Sequence, residues 1–392
     1  MSDVRTAVDA DSAAGSGRNE PDWAALRADF PATGRFAYLA LANKALLPRR
    51  VADAMAEWLG DVDTNAGQTA FSMDPIEECR ATVARVFGAP ASSLALIKNT
   101  SEGINIVAKG FDLKPGENVV ISAAEHENNT FPWRYLENEG IEVRMAEPAE
   151  DGVLSLDHYR PLVDDRTRVV SASWVSYGTG FRQDVPALAD FCHAAGARLV
   201  IDGIQGVGIL ATPLKDLGAD VVIAGGHKAQ FSLTGAGFMV VRDDVIPEIS
   251  PPYAAKFSFT SNDRFQESPE LAGDAHRFEY GNPNFLGIWV QRRSAEFIEE
   301  IGLENIEARV KDLTTYLIEQ ADARGIRVRT PRPWHQRAGV VSLDFGVDHE
   351  ALVADLQRKD VLVSFKDGFL RASIHFYNNT EDIDRFFDAT GR

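Results

Sequence analysis

Between Ala197 and Val241 the chain contains two short, fully apolar runs, Leu199–Ile201 and Val221–Ile223, each followed by a charged residue. Continuous runs of β-branched character belong to strands buried on both faces, which is the condition of a parallel sheet covered by helices. Asp202 follows the first run, and Lys228 follows the second after the Gly225–Gly226 turn. In open α/β sheets the ligand crevice lies beyond the carboxyl ends of the strands. The pattern therefore predicts one fold class, α/β, and one meeting point, with an acid and a lysine delivered to the same crevice.

That pair of groups suits a cofactor with a basic ring nitrogen and a carbonyl, namely pyridoxal 5'-phosphate (PLP). Lys228 would form the Schiff base and Asp202 would keep the pyridine nitrogen protonated. Asp202-Gly203-x-Gln205 followed by Gly226-His227-Lys228 resembles the class V aminotransferase family of fold-type I PLP enzymes, and the resemblance runs over about residues 35 to 390. The family includes cysteine desulfurases, selenocysteine lyase and kynureninase. The resemblance implies a large domain on a mostly parallel seven-stranded sheet flanked by helices, with a smaller α+β C-terminal domain. The expected division is a disordered tail over 1–20, a segment over 21–65 that joins the small domain, the large PLP-binding domain over 66–287, and the small domain over 288–392.

Composition removes several other classes. A net charge of −18 argues against nucleic acid and anionic membranes, since a polyphosphate partner needs a basic footprint. The two cysteines, Cys79 and Cys192, lack CxxC spacing and give neither a disulfide framework nor a zinc site, so no metal is expected and a reducing cytoplasm fits. No apolar run reaches the length of a membrane span, and the first residues lack a signal-peptide pattern. Gly203, Gly206 and Gly208 have the reverse of the GxGxxG spacing of a nicotinamide site, and a P-loop motif is absent.

The chain in order supplies further candidates. Asn43 and Lys44 stand where family members often have a small residue near the substrate carboxylate; Lys44 reads as solvated. Asp74 is expected to cap a helix in which Ile76, Cys79, Val83 and Val86 share a face, making Cys79 a core residue. Cys192, beside Leu188 and Phe191, reads the same way. Asn99 to Asn105 forms a strand-to-helix turn whose hydroxyls and unpaired N–H groups suit a phosphate, with Asn99 and Glu102 as a capping box. By resemblance Thr100 and Ser101 hold that phosphate, His227 contacts it, and Gln205 bonds the ring oxygen. Gly225 stands where relatives often carry serine, so one phosphate donor is either missing or supplied by a backbone N–H.

Glu125-His126-Glu127-Asn128-Asn129 resembles the family segment whose histidine stacks on the pyridine and relays protons, which assigns His126 to catalysis with Lys228 and Asp202. Tyr177 replaces the asparagine common in desulfurases, and Tyr177 and Arg182 would shape the substrate pocket; Arg182 could equally be a structural ion-pair partner. The stretch from Arg277 to Asn284 resembles a family motif that reaches the phosphate of a partner subunit, with Asn282 in place of threonine. This implies a homodimer with shared active sites. Arg371, followed by Ala372 and Ser373, matches the arginine that forks onto the α-carboxylate of an amino acid substrate.

Desulfurases use a cysteine on the loop before this arginine strand, but Val363 to Leu370 contains none. Without that thiol the favoured chemistry is elimination, making the chain a C–S β-lyase on a cysteine-type S-conjugate. The alternatives are an aminotransferase, or a decarboxylating deaminase or epimerase, of a secondary-metabolite amino acid. A catalytically silent scaffold is more distant, because Lys228, Asp202 and His126 are all retained.

Overall fold

The computed structural model describes residues 21–261 and 263–392; the tail expected over 1–20 lies outside the described residues. The two apolar runs become the strands Arg198–Asp202 and Val221–Gly225, which pair in parallel with Ile201 opposite Val222 and Asp202 opposite Ile223. They lie within a seven-stranded sheet ordered Leu94–Ile97, Gly237–Val241, Val221–Gly225, Arg198–Asp202, Thr167–Ser173, Asn118–Ser122, Glu142–Ala146. Only Gly237–Val241 runs against its neighbours.

Period-two alternation of side chains explains why both strand faces are apolar. Val170, Leu199, Ile201 and Val222 enter one core layer, with Cys79 and Val83 of the Asp74–Phe87 helix and Leu188 and Cys192 of the Val185–Ala194 helix. Val169, Val200, Val221 and Ile223 enter the opposite layer under Ile104 and Val107 of the Thr100–Gly110 helix. Both cysteines are therefore core residues. Asp74 does not cap its helix: Met73 before it already has helical angles, so Asp74 occupies the first turn, where its charge faces the positive helix end.

A second sheet is antiparallel and four-stranded, ordered Ser364–Lys366, Phe369–Ser373, Val340–Asp344, Arg327–Val328. The N-terminal segment closes onto it. Ala37–Tyr38 pairs in parallel with Val361–Leu362, and Arg27 forms an ion pair with Asp382 at 2.7 Å. The long helical stretch divides at Gly302. Phe285–Ile301 shares the core of the large sheet through Phe297 and Ile298, whereas Leu303–Ala323 sends Leu313, Leu317 and Ala321 into the core of the small one. The passage toward the small sheet thus comes after the first long helix, not at its start. Among the described residues no helix is long and apolar enough to cross a membrane.

Two strands of the small sheet are joined by Asp367 and Gly368, with φ of +50° and +83°. A two-residue loop with both φ positive matches the twist of the strands it joins, and Asp-Gly is well suited to it. This tight hairpin occupies the segment expected to be a loop before Arg371.

Candidate active site

Strand ends from both sheets converge on a cavity of about 270 Å³. Its wall includes Asn43, Thr100, His126, Tyr177, Asp202, Gln205, His227, Lys228 and Arg371, so nine of the residues singled out in the sequence meet in one place. They come from seven separate stretches of chain, six of them delivered by the carboxyl end of a strand or by the turn after it, while Arg371 projects from the middle of the Phe369–Ser373 strand.

Asp202 is the last residue of its strand and is 4% exposed. Burial pushes its carboxyl up to about 6, opposed by the Ile204 N–H it accepts at 3.0 Å and by the Lys228 charge. Lys228 is 9% exposed; burial pushes its ammonium down to about 8, helped by the positive charges of Arg371 and Lys366 and opposed by Asp202. Among the described residues neither group has an ion-pair partner, so the acid and the amine act on one another across the cavity without direct contact.

His126 caps the Glu127–Tyr135 helix, its Nδ1 accepting from the Asn128 N–H at 3.1 Å. In the neutral ring the proton is therefore on Nε2. Burial lowers its basicity, with the charges of Lys228, Lys366 and Arg371 acting in the same direction and Glu127 opposing. Its ring meets that of Tyr177 edge-on, with centroids 5.1 Å apart.

Arg371 is fully buried, and its guanidinium is fixed by three bonds. Nε donates to Ser364 Oγ at 2.8 Å, Nη1 donates to the Tyr177 carbonyl at 2.6 Å, and Nη2 donates to Asn43 Oδ1. Asn43 thus orients the fork. Lys44 is exposed, as expected.

At the other end of the cavity, Thr100 Oγ1 accepts the Gly225 N–H at 3.1 Å, which leaves the hydroxyl proton to donate. That bond uses the N–H that could have replaced the missing serine at 225. Asn99 Oδ1 accepts from Glu102 N–H at 2.9 Å, while Glu102 returns to the Lys98 N–H rather than to Asn99, so the cap is one residue wider than expected. Gln205 Nε2 donates to the Ala42 carbonyl at 3.1 Å, tying the strand-end turn to the N-terminal segment.

Three candidates lie elsewhere. Arg182 faces Glu307 at 3.3 Å and Thr212 at 3.5 Å beside a different cleft, so of its two readings the ion pair is the one observed. Ser101, on the first turn of its helix, lines a shallow surface cleft with Phe131 and Tyr135. Asn282 borders an apolar cleft with Lys98, Phe257 and Tyr280. Of the three, only Ser101 has a neighbour, Thr100, that reaches the cavity.

Four contributors were not singled out. Lys366, Asn128 and Ser173 line the cavity. Glu125 lies behind it, accepting from the Ser173 N–H and Oγ and from Asn129 Nδ2 at 2.7, 2.5 and 2.8 Å, and burial pushes its carboxyl up to about 7. Ser173 ends a buried strand and could have been found by the same rule as Asp202. Among the described residues no group of three or more His, Cys, Asp or Glu side chains is placed to hold a metal.

The donor set fits PLP. Asp202 offers a buried carboxylate for a ring nitrogen, and Lys228 a weakly basic amine for an aldehyde. Thr100, His227 and the first turn of the Thr100–Gly110 helix offer donors for a phosphate.

The sequence model of the aminotransferase class-V family matches residues 37–386. A probable cysteine desulfurase of Methanothermobacter thermautotrophicus is 28% identical over 383 residues, covering 91% of this chain and 94% of that protein. The apo structure of a cysteine desulfurase from Thermococcus onnurineus NA1 has a TM-score of 0.84 at 27% identity, covering 93% of this chain and 96% of its own. Two C-DES structures share the fold at 19% identity. One has glycine covalently linked to the PLP cofactor (TM-score 0.86, 93% and 98% covered), and the other is the cystine C–S lyase with its product cysteine persulfide (0.84, 92% and 99%).

Proposed function

Since the chain belongs to the class-V aminotransferase family and is a PLP-dependent enzyme, we propose that it is a C–S β-lyase that cleaves a cysteine-type S-conjugate to pyruvate, ammonia and a thiol, consuming one water. The observation that carries this reading is the cavity itself, in which Lys228 and Asp202 are present and a thiol is not. Cys79 and Cys192 are buried in the core, and burial pushes both thiols up to about 12. A sulfur-transfer reaction needs a thiolate within reach of the substrate, whereas elimination needs only a base and an acid.

When bound, PLP supplies an aldehyde for the substrate amine and a conjugated ring that takes up the electrons of a broken Cα–H bond. Arg371, held by Ser364, Tyr177 and Asn43, presents a planar fork to the α-carboxylate. Lys228, with its depressed basicity, removes the Cα proton. Asp202 supplies the negative charge that keeps a protonated ring nitrogen in place. His126, neutral and with its proton on Nε2, would protonate the leaving sulfur. Thr100 and His227 anchor the phosphate, and Gln205 holds the turn that carries Asp202.

We assign the cleft around Asn282 to a second copy of the chain, whose phosphate site Asn282 would complete; light scattering tests this homodimer. The buried free thiols are consistent with a reducing cytoplasm.

The deciding experiment incubates the holoenzyme with S-ethyl-L-cysteine and with L-cystine and measures pyruvate, ammonia and sulfur products. Equimolar pyruvate and ammonia, abolished in Lys228→Ala together with the visible cofactor band, supports the lyase. Amino-group transfer to an added keto acid without pyruvate formation would instead make the enzyme an aminotransferase.

A further inference from the structure

We infer that Lys366 forms a second anion site beside the Arg371 fork, so that the preferred substrate carries a negatively charged group on its side chain in addition to its α-carboxylate. The inference rests on the reading that this cavity binds an amino acid; it does not depend on which bond is then broken.

The hairpin geometry places the two cations on one face. Ser364 pairs directly with Arg371, and Lys366 pairs with Phe369, two residues farther toward the turn. Since side chains alternate across a strand, Lys366 shares the face of Ser364, which touches Arg371 Nε. At the rise of an extended strand this sets the Lys366 backbone roughly 7 Å beyond that of Ser364. The lysine therefore serves a position farther out along the substrate than the carboxylate fork does.

The side chain is directed into the cavity rather than into solvent. Lys366 lines the cavity wall, and its Nζ lies 5.5 Å from the centroid of the Tyr177 ring. Its charge depresses the basicity of both His126 and Lys228.

Among the described residues Lys366 has no ion-pair partner, although two acids are near. Both are engaged elsewhere. Asp367 packs against Gly178, where an added Cβ would lie 2.7 Å from Asp367 Oδ2, and its charge adds to burial in raising the Tyr177 hydroxyl. Glu127 accepts from its own backbone N–H, and the Lys366 charge reaches it without forming an ion pair. Lys228, Lys366 and Arg371 thus face a single lining carboxylate, Asp202. With the cofactor phosphate at the Thr100 end, one α-carboxylate satisfies Arg371 and leaves Lys366 without an ion-pair partner in the cavity. A carboxylate or sulfonate on the side chain supplies it, through a charge-assisted hydrogen bond.

The test compares two ligands of similar size, S-carboxymethyl-L-cysteine and S-ethyl-L-cysteine, by the change each produces in the visible absorption of the holoenzyme at equilibrium. The anionic ligand should bind about tenfold more tightly or better. Lys366→Gln should bring the ratio of the two dissociation constants close to one. Lys366→Glu should favour S-aminoethyl-L-cysteine over the anionic compound. Equal affinities in the parent enzyme, or a preference that survives Lys366→Gln, would overturn the assignment. Because the readout is binding, a preserved anionic preference without thiol release would sink the lyase reading and leave this subsite standing.

Discussion

Arg80 and Arg371 are both 2% exposed, yet their surroundings treat the charge in opposite ways. Arg80 projects from the Asp74–Phe87 helix toward Glu279, in the stretch before Asn282. It donates to Glu77 from Nε at 3.0 Å, to Glu279 from Nη2 at 3.1 Å, and to the Leu94 carbonyl at 2.8 Å. Burial opposes its charge, but Glu279 and Glu77 outweigh that and hold its basicity above the ordinary value. Arg371 has only neutral acceptors, and burial pushes it down to about 10. The first arrangement is complete in the folded chain. The second leaves charge for a ligand to neutralise, as do Lys228 and Asp202 in the same cavity, and groups held this way mark a functional site.

The contrast breaks most readily by removing each arginine in turn. Arg80→Met should cost about 3–5 kcal/mol in urea unfolding, because Glu279 is left partly buried without its partner. Arg371→Met should cost less than half of that in the same measurement, while weakening amino acid binding about 100-fold in a spectral titration. If the two variants lose similar stability, the distinction between a structural and a ligand-facing arginine fails.

Two buried titratable groups sharpen the comparison with opposite signs. His375 is fully buried and held down at about 3 by burial, below its ordinary 6.5. The stability linked to it is fully present above pH 6.5 and is lost as pH falls toward 3, since the unfolded chain binds the proton first. Glu125 is raised from its ordinary 4.5 to about 7, so its contribution is present at low pH and is lost as pH rises through 7. Urea midpoints measured across this range should lose a slope of up to about one proton on the acid side in His375→Gln. In Glu125→Gln the change should appear between pH 5 and 7 instead.

The smallest effect concerns cofactor uptake. Addition of Lys228 to the PLP aldehyde needs the neutral amine, so the rate at which apoenzyme recovers its visible band should climb with pH and level off above about 8. Lys366→Gln removes one of the charges that depress Lys228 and should move the climb upward by less than about one unit.

Legibility followed the range of the interactions. The Asp202 and Lys228 strands, the helices bearing Cys79 and Cys192, and the turn at Thr100 were readable because alternation, capping and strand-end placement are local consequences of residue order. Misplaced features all depended on a few degrees of backbone or on distant neighbours. Helical angles at Met73 moved the start of its helix, and the first turn of the Thr100–Gly110 helix turned Ser101 outward. Arg182 could not be assigned while Glu307 lay 125 residues away. Glu125 was given no role from the sequence, because Ser173 and Asn129 close around it only in the folded chain.

By itself, then, the sequence determined the α/β class, the cofactor and the meeting of an acid with a lysine, because buried strands confine charge to their ends and the turns beyond, and the carboxyl ends of a parallel sheet open on one crevice. The tertiary structure decided which charges remain unpaired. That depends on whether an opposite charge arrives from elsewhere in the chain: Glu279 reaches Arg80, whereas no carboxylate among the described residues pairs with Lys366 or Arg371.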